Sequence, residues 1–235
     1  ISHRAGKFYA SILVETESYN PHNPSKEIVG VDLGIKELAV LSDGTVVKSN
    51  NALKRNLKAL ARKQRGLSKK QKGSNNRVKA KLKVAKLHKR IADQRQAVLH
   101  ELSDHLTRNY KTIVLEDLNV KGMVRNRKLA RSISDAGFGY LRQMVEYKAE
   151  LRGNTVVIAD RFFPSSKTCS GCGQIHQITL ADRTLSCDCG LTIDRDLNAA
   201  INLENYGRDT FQRDLKRIQE LSKTQDLSCA SVMTV

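Results

Sequence analysis

Four cysteines in two close pairs constrain this chain more than any other feature. Cys169-Ser-Gly-Cys172 and Cys187-Asp-Cys189 stand fifteen residues apart, and each pair is followed by a glycine, Gly173 and Gly190. Zinc takes four soft ligands in a tetrahedron, with sulfur at about 2.3 Å. Two tight turns in which glycine lets the backbone fold back, its amides facing the thiolates, supply that geometry. The second pair is spaced C-x-C, a departure from the commoner C-x-x-C that tightens the turn without forbidding chelation. Residues 165–193 are therefore expected to form a structural zinc ribbon with Cys169, Cys172, Cys187 and Cys189 as ligands. A cluster of this kind reads as a metal site rather than a disulfide framework. The fifth cysteine, Cys229, reads as an inert free thiol, and His176 is not needed as a ligand.

Around the ribbon the pattern alternates between strand and helix. Phe8, Ala10, Ile12 and Val14 recur at period two and predict a half-buried strand over 7–15. "IVGVDLG" at 28–34 and "ELAVLSDGTVV" at 37–47 follow a polar loop. The turn Ser42-Asp43-Gly44 marks a hairpin, so this stretch fits three consecutive antiparallel strands. From 52 to 109 helix formers dominate, with apolar stripes at Leu53, Leu57, Leu60 and at Val84, Leu87, Ile91, Val98, Leu102. "KGSNN" at 72–76 breaks the run, which predicts a helical hairpin. "TIVLEDLN" at 112–119 reads as a buried strand, 137–151 as an amphipathic helix, 154–160 as a strand and 194–206 as a helix. Beyond Gly207 a polar helix is expected to about Leu221, with the last dozen residues disordered. The fold class is α/β. The segments divide at 1–51, 52–109, 110–164, 165–193, 194–210 and 211–235.

The charge points to a polyanion. Lys and Arg number 41 against 24 Asp and Glu, a formal net charge of +17, and a field of that size favours nucleic acid. Sixteen Lys and Arg, and no acid, lie between Lys54 and Arg90. A solvated helix face would carry both signs, and like charges at i,i+4 destabilise a helix, so this face reads as a surface for phosphates. "VRNRKLARS" at 124–132 is a second basic stretch. No segment approaches the roughly 18 apolar residues of a membrane helix, and no signal peptide or lipidation motif is present. The expected location is the cytoplasm, at the nucleoid in a bacterium or archaeon.

Three acids stand out by their surroundings. Asp32 interrupts an apolar strand, where a lone acid is costly unless it binds something. Glu116 ends the strand "TIVLE", and Asp196 opens the helix in "DRDLNAA". Acids on two strand ends and one helix start can converge, and together they suit Mg²⁺ or Mn²⁺ in two-metal phosphodiester hydrolysis. Each also has a plainer reading. Asp32 can be a turn residue, Asp117 can share the role of Glu116, and Asp194 or Asp196 can cap the helix.

At these residues the chain resembles a known family. "GVDLGIKELAVLSDG", "VLEDLNVKGM", "SSKTCSGCG" and "CDCGLTIDRDLNAAINL" are similar to the OrfB/TnpB proteins of bacterial and archaeal insertion sequences, over roughly 28–206 and in the same order. These are labelled transposases and are related to type V CRISPR effectors. The resemblance implies a RuvC-like, RNase H-type mixed sheet split by a helical insertion and carrying the zinc ribbon. It implies RNA-guided DNA endonuclease activity with Asp32, Glu116 and Asp196 as catalytic magnesium ligands, Asp196 being preferred to Asp194 because it directly precedes "LNAA". It implies a guide RNA from the transposon end, target DNA, and an N-terminal recognition domain not contained in this chain. The competing readings are a strand-transfer transposase, a guided binder without cleavage, and a structure-specific resolvase or hybrid-cutting enzyme.

Overall fold

The computed structural model describes residues 1–15, 24–179 and 181–230. The chain opens with β1 (Ser2–Arg4) and β2 (Lys7–Tyr9), then runs through β3 (Lys26–Leu33), β4 (Glu37–Leu41) and β5 (Val46–Lys48). Helices α1 (Ala52–Ser68) and α2 (Asn75–Asn109) lead to β6 (Tyr110–Glu116). Next come α3 (Val120–Arg125), α4 (Ala130–Ala136), α5 (Phe138–Arg152) and β7 (Thr155–Ala159). A small hairpin of β8 (Thr184–Ser186) and β9 (Thr192–Asp194) precedes α6 (Arg195–Ala230).

Five strands form one mixed sheet in the order β5-β4-β3-β6-β7. The first three make an antiparallel meander, while β6 runs parallel to β3 and β7 parallel to β6. Both parallel connections pass through helices, α1–α2 for the first and α3–α5 for the second. Strands covered on both faces read as continuous apolar runs, and β3 and β6 do. Val29, Val31, Ile113 and Leu115 face the α2 and α5 side, packing with Leu99, Leu102, Leu106, Leu141 and Val145. The alternate residues face α6, where Val114 packs with Leu203 and Ile28 with Tyr206. Each fully buried side chain of this kind contributes roughly 1.5–3 kcal/mol.

Two glycines fix how α6 lies on the sheet. A Cβ on Gly30 would sit 2.0 Å from the Ala200 carbonyl oxygen and 2.5 Å from the Glu204 nitrogen. A Cβ on Gly207 would sit 2.5 Å from Val114 Cγ2 and 2.9 Å from Ile28 Cδ1. At Gly30 the strand meets the α6 backbone directly, at Gly207 the helix makes room for the Val114 and Ile28 side chains, and the first turn of α6 is carried to the C-terminal ends of β3 and β6.

The basic helical hairpin is present. Ser74 caps α2, its hydroxyl accepting from Arg77 N at 3.3 Å, and Ala52, Leu60, Leu87 and Ile91 form a small core between the helices. The N-terminus of α1 is capped from a distance. Asp135 on α4 accepts from Leu53 N at 3.0–3.1 Å and pairs with Arg95 at 3.0 Å.

Two expectations are corrected. The half-buried strand over 7–15 is only three residues long and belongs to no larger sheet. β1 and β2 pair with each other alone, and Phe8, Ile12, Leu13 and Val14 are exposed. Ala5 and Gly6 both have positive φ, the geometry of a two-residue hairpin turn. The turn rests on α2 at Leu82, and Lys89 lies over the Tyr9 ring. Period-two alternation reports a strand but not which sheet receives it. At the other end α6 continues to Ala230 instead of stopping near Leu221. Nothing between Arg208 and Ala230 is Gly or Pro, so no residue there breaks the helix. The rest of the expected disorder, residues 231–235, lies outside the described residues.

Candidate active site and metal centre

The parallel register pairs Val31 with Leu115, which sets the next residues, Asp32 and Glu116, level on adjacent strands. Alternation turns them toward the same face as Gly30 and Val114, the face α6 covers. Asp196 lies one turn before Ala200, whose carbonyl meets Gly30. Two strand ends and one helix start thus bring Asp32, Glu116 and Asp196 to one edge of the sheet. Burial, together with repulsion from Glu116 and Asp196, pushes the Asp32 carboxyl up to about 8, with Arg195 opposing. Burial also raises Glu116, against a 2.8 Å hydrogen bond donated by the Ser165 hydroxyl. Arg195 holds Asp196 at 3.2 Å, and Arg183 approaches it at 3.8 Å.

The neighbouring acids are otherwise engaged. Asp194 caps α6, accepting from Asp196 N at 2.9 Å and Leu197 N at 3.1 Å. Asp117 binds Arg161 and Arg142 at 2.5 and 3.1 Å, and these cations, Arg161 first, hold its carboxyl below the usual range. Arg195 also donates to the carbonyls of Thr179 and Asp182 at 3.3 and 3.0 Å, tying the ribbon to the start of α6.

The cysteines gather as their spacing predicts. The four Sγ atoms lie within 4.8 Å of one another. Gly173 N donates to Cys169 O and Gly190 N to Cys187 O, each at 2.9 Å, with both glycines at positive φ. This donor set fits a tetrahedral thiolate-bound metal. His176 stands outside the cluster. Among the described residues the four thiols are the only set of three or more such ligands drawn this close.

Sequence reasoning missed the residues that join the two centres. Asn198, fully buried, accepts from Ser170 N at 2.9 Å and donates to Thr168 O at 2.7 Å. Asn202 donates to Ser165 O and Thr168 O at 2.7 and 2.6 Å. This i,i+4 pair on α6 fixes the segment that carries both Ser165 and the first cysteine turn. Its signal was two amides interleaved with the apolar Leu197, Ala199, Ala200, Ile201 and Leu203 of one helix, since buried polar groups need partners.

Two family models match the chain. Residues 11–127 match the OrfB_IS605 family, described as "Probable transposase", and residues 138–203 match the Cas12f1-like TNB domain. The chain belongs to the OrfB/TnpB family. It is 45% identical over 201 residues to a "Putative RNA-guided DNA endonuclease" of Streptomyces pristinaespiralis, covering 85% of this chain and 50% of that protein. It is 37% identical over 220 residues to the similarly named InsQ of Escherichia coli strain K12, covering 86% and 54%. The chain therefore spans about half the length of these relatives. Among solved structures, the cryo-EM structure of the Cas12f1-sgRNA-target DNA complex contains a similar fold. The TM-score is 0.52 at 20% identity, over 78% of this chain and 50% of that one. Among the described residues no helix is long and apolar enough to cross a membrane.

Proposed function

We propose that this chain is the nuclease part of an RNA-guided DNA endonuclease with an RNase H-like, RuvC-type fold. The observation that carries the reading is the convergence of Asp32, Glu116 and Asp196, from three separate segments, on one edge of the β5-β4-β3-β6-β7 sheet. Carboxylate oxygens suit Mg²⁺ or Mn²⁺, so these three acids would hold the catalytic metal. When bound, two such ions activate a water and stabilise the leaving oxygen of a phosphodiester. Ser165 orients Glu116, Asp194 takes the capping of α6, and Arg195 orients Asp196. The basic α1–α2 hairpin, with exposed cations such as Lys54, Arg62 and Lys83, would bind the phosphate backbone of guide RNA and target DNA. Guide pairing would read the target sequence while the protein reads backbone shape. Cys169, Cys172, Cys187 and Cys189 would hold structural zinc. In the full-length protein an N-terminal domain would recognise the motif flanking the target, and the protein would act in the cytoplasm at the nucleoid.

The test is to purify the full-length protein from cells carrying its parent element and sequence the RNA that comes with it. That complex is then incubated with Mg²⁺ and matched DNA. One discrete RNA species is expected, with metal-dependent cutting that is absent from Asp32→Ala and Glu116→Ala. Strand-transfer products in place of cut ends would instead establish a transposase, and cutting that survives both substitutions would reject this site.

A further inference from the structure

The segment between β6 and α5 carries a surface that the carboxylate site does not use. From Leu118 to Ser134 there are five Lys and Arg and no acid. All five (Lys121, Arg125, Arg127, Lys128 and Arg131) are exposed. Against this segment opens a cleft of about 570 Å³ whose walls include Val120 and Val124 of α3, Ile133 of α4, and Phe138, Tyr140 and Gln143 of α5. Its chemistry is mixed in a particular way. The floor is apolar, with Ile133 and Phe138 buried, but Tyr140 stands 62% exposed at the rim. Gln143, three residues on and so on the same helix face, is exposed beside it. Gly139 adds no side chain, and a Cβ there would meet nothing within 4 Å.

We propose that this cleft binds an unpaired nucleotide of a DNA strand, with the Tyr140 ring as the stacking face and Gln143 at the base edge. A basic surface surrounding an aromatic platform is how proteins hold single strands without reading their sequence. A duplex offers no free base face to such a platform, because its bases are stacked on one another. The cleft is also close to the acids. Val120 on its wall follows Glu116 by four residues, at most roughly 14 Å of extended chain. A nucleotide held here would therefore keep the neighbouring part of its strand single at the carboxylate edge. The inference rests on the nuclease reading only for which strand is held.

The experiment uses this chain with Asp32→Ala, so that nothing is cut, and a short single-stranded DNA carrying 2-aminopurine, whose fluorescence is quenched by stacking. A duplex of the same sequence serves as the comparison. Single-strand binding with quenching is expected. Tyr140→Ala should weaken it roughly tenfold and abolish the quench, while Tyr140→Phe keeps both within about twofold. Gly139→Leu, which fills the cleft from an open position, should act like Tyr140→Ala. Duplex affinity should be unchanged in all of them. Unaltered single-strand binding by Tyr140→Ala would overturn the proposal. So would a loss in Tyr140→Phe equal to that in Tyr140→Ala, or an equal loss on duplex. Cleavage by the guided complex is read separately. If Asp32 is required for cutting but Tyr140 does nothing here, only this inference falls. If Asp32 is dispensable and the stacking persists, the cleft remains a single-strand site and the nuclease reading falls.

Discussion

Replacing Asp32 by asparagine should make the metal-free protein more stable, by an amount that grows with pH. The Asp32 carboxyl is mostly but not fully buried, and burial first, then repulsion from Glu116 and Asp196, raises its folded pKa from 3.8 to about 8. A carboxyl raised on folding holds its proton more tightly in the folded state than in the unfolded one. Its unfavourable effect is therefore absent below about pH 4, grows as pH rises through the window from 4 to 8, and is constant above it. From 3.8 to 7 is about three pH units at about 1.4 kcal/mol each, or about 4 kcal/mol. The site is only partly buried, so solvent screening reduces this to about 2–4 kcal/mol. Asparagine cannot ionise and removes that slope. Urea unfolding in EDTA should find Asp32→Asn equal to the wild type near pH 4 and about 2–4 kcal/mol more stable at pH 7.5. Adding Mg²⁺ should reverse the order, because a ligand that binds only the folded state stabilises it by mass action and the variant has lost a charged ligand. A stability difference that stays flat from pH 4 to 7.5, or a variant less stable than the wild type in EDTA at pH 7.5, would refute this electrostatic account of the site.

Four other perturbations test the framework around it. Gly30→Ala places a methyl 2.0 Å from the Ala200 carbonyl and should cost about 3 kcal/mol or more in urea unfolding. Gly66→Ala, in α1 with open space around it, should instead gain about 0.5–1 kcal/mol. Chelation or Cys187→Ser should remove one zinc per chain by elemental analysis. Amide exchange should then accelerate across 165–193 while β3 and β6 stay protected. Asp135→Ala removes the cap on α1 and takes the carboxylate partner from Arg95, which keeps only its bond to the residue 135 carbonyl. It should cost about 2–3 kcal/mol, with the first turn of α1 exchanging faster than its middle.

How much of this was legible in the sequence depends on whether a signal was local. The cysteine turns, the α1–α2 hairpin and its break at 72–76, and the strand ends at Asp32 and Glu116 were all readable. Each is announced by residues within a few positions of it. The fate of residues 7–15 was not, because strand alternation is the same whether a strand enters the central sheet or pairs only with Ser2–Arg4. The remote cap of Asp135 on α1, 82 residues away, left no trace either. An Asp in "SISDAG" looks like any surface residue until the fold sets it against a helix start. Gly207 is a related case. Within a helix it reads as a weak point, and only the approach of Val114 and Ile28 shows that a side chain there could not be accommodated.

The cysteine module and the carboxylates form one mechanical unit, and the short distance between Asp194 and Asn202 is the reason. In nine consecutive residues the chain ends the ribbon hairpin, caps α6 with Asp194, places Asp196 at the sheet edge, and uses Asn198 and Asn202 to grip the segment from Ser165 to Ser170. That segment carries the hydroxyl that holds Glu116 at one end and Cys169 at the other. Moving the ribbon relative to α6 would therefore move Ser165 relative to Glu116. Gly30 and Gly207 prevent α6 itself from shifting on the sheet. The cysteine module can in this way set the spacing of two of the three acids. Its insertion directly before the third acid, rather than in a distant loop, is what makes that coupling possible.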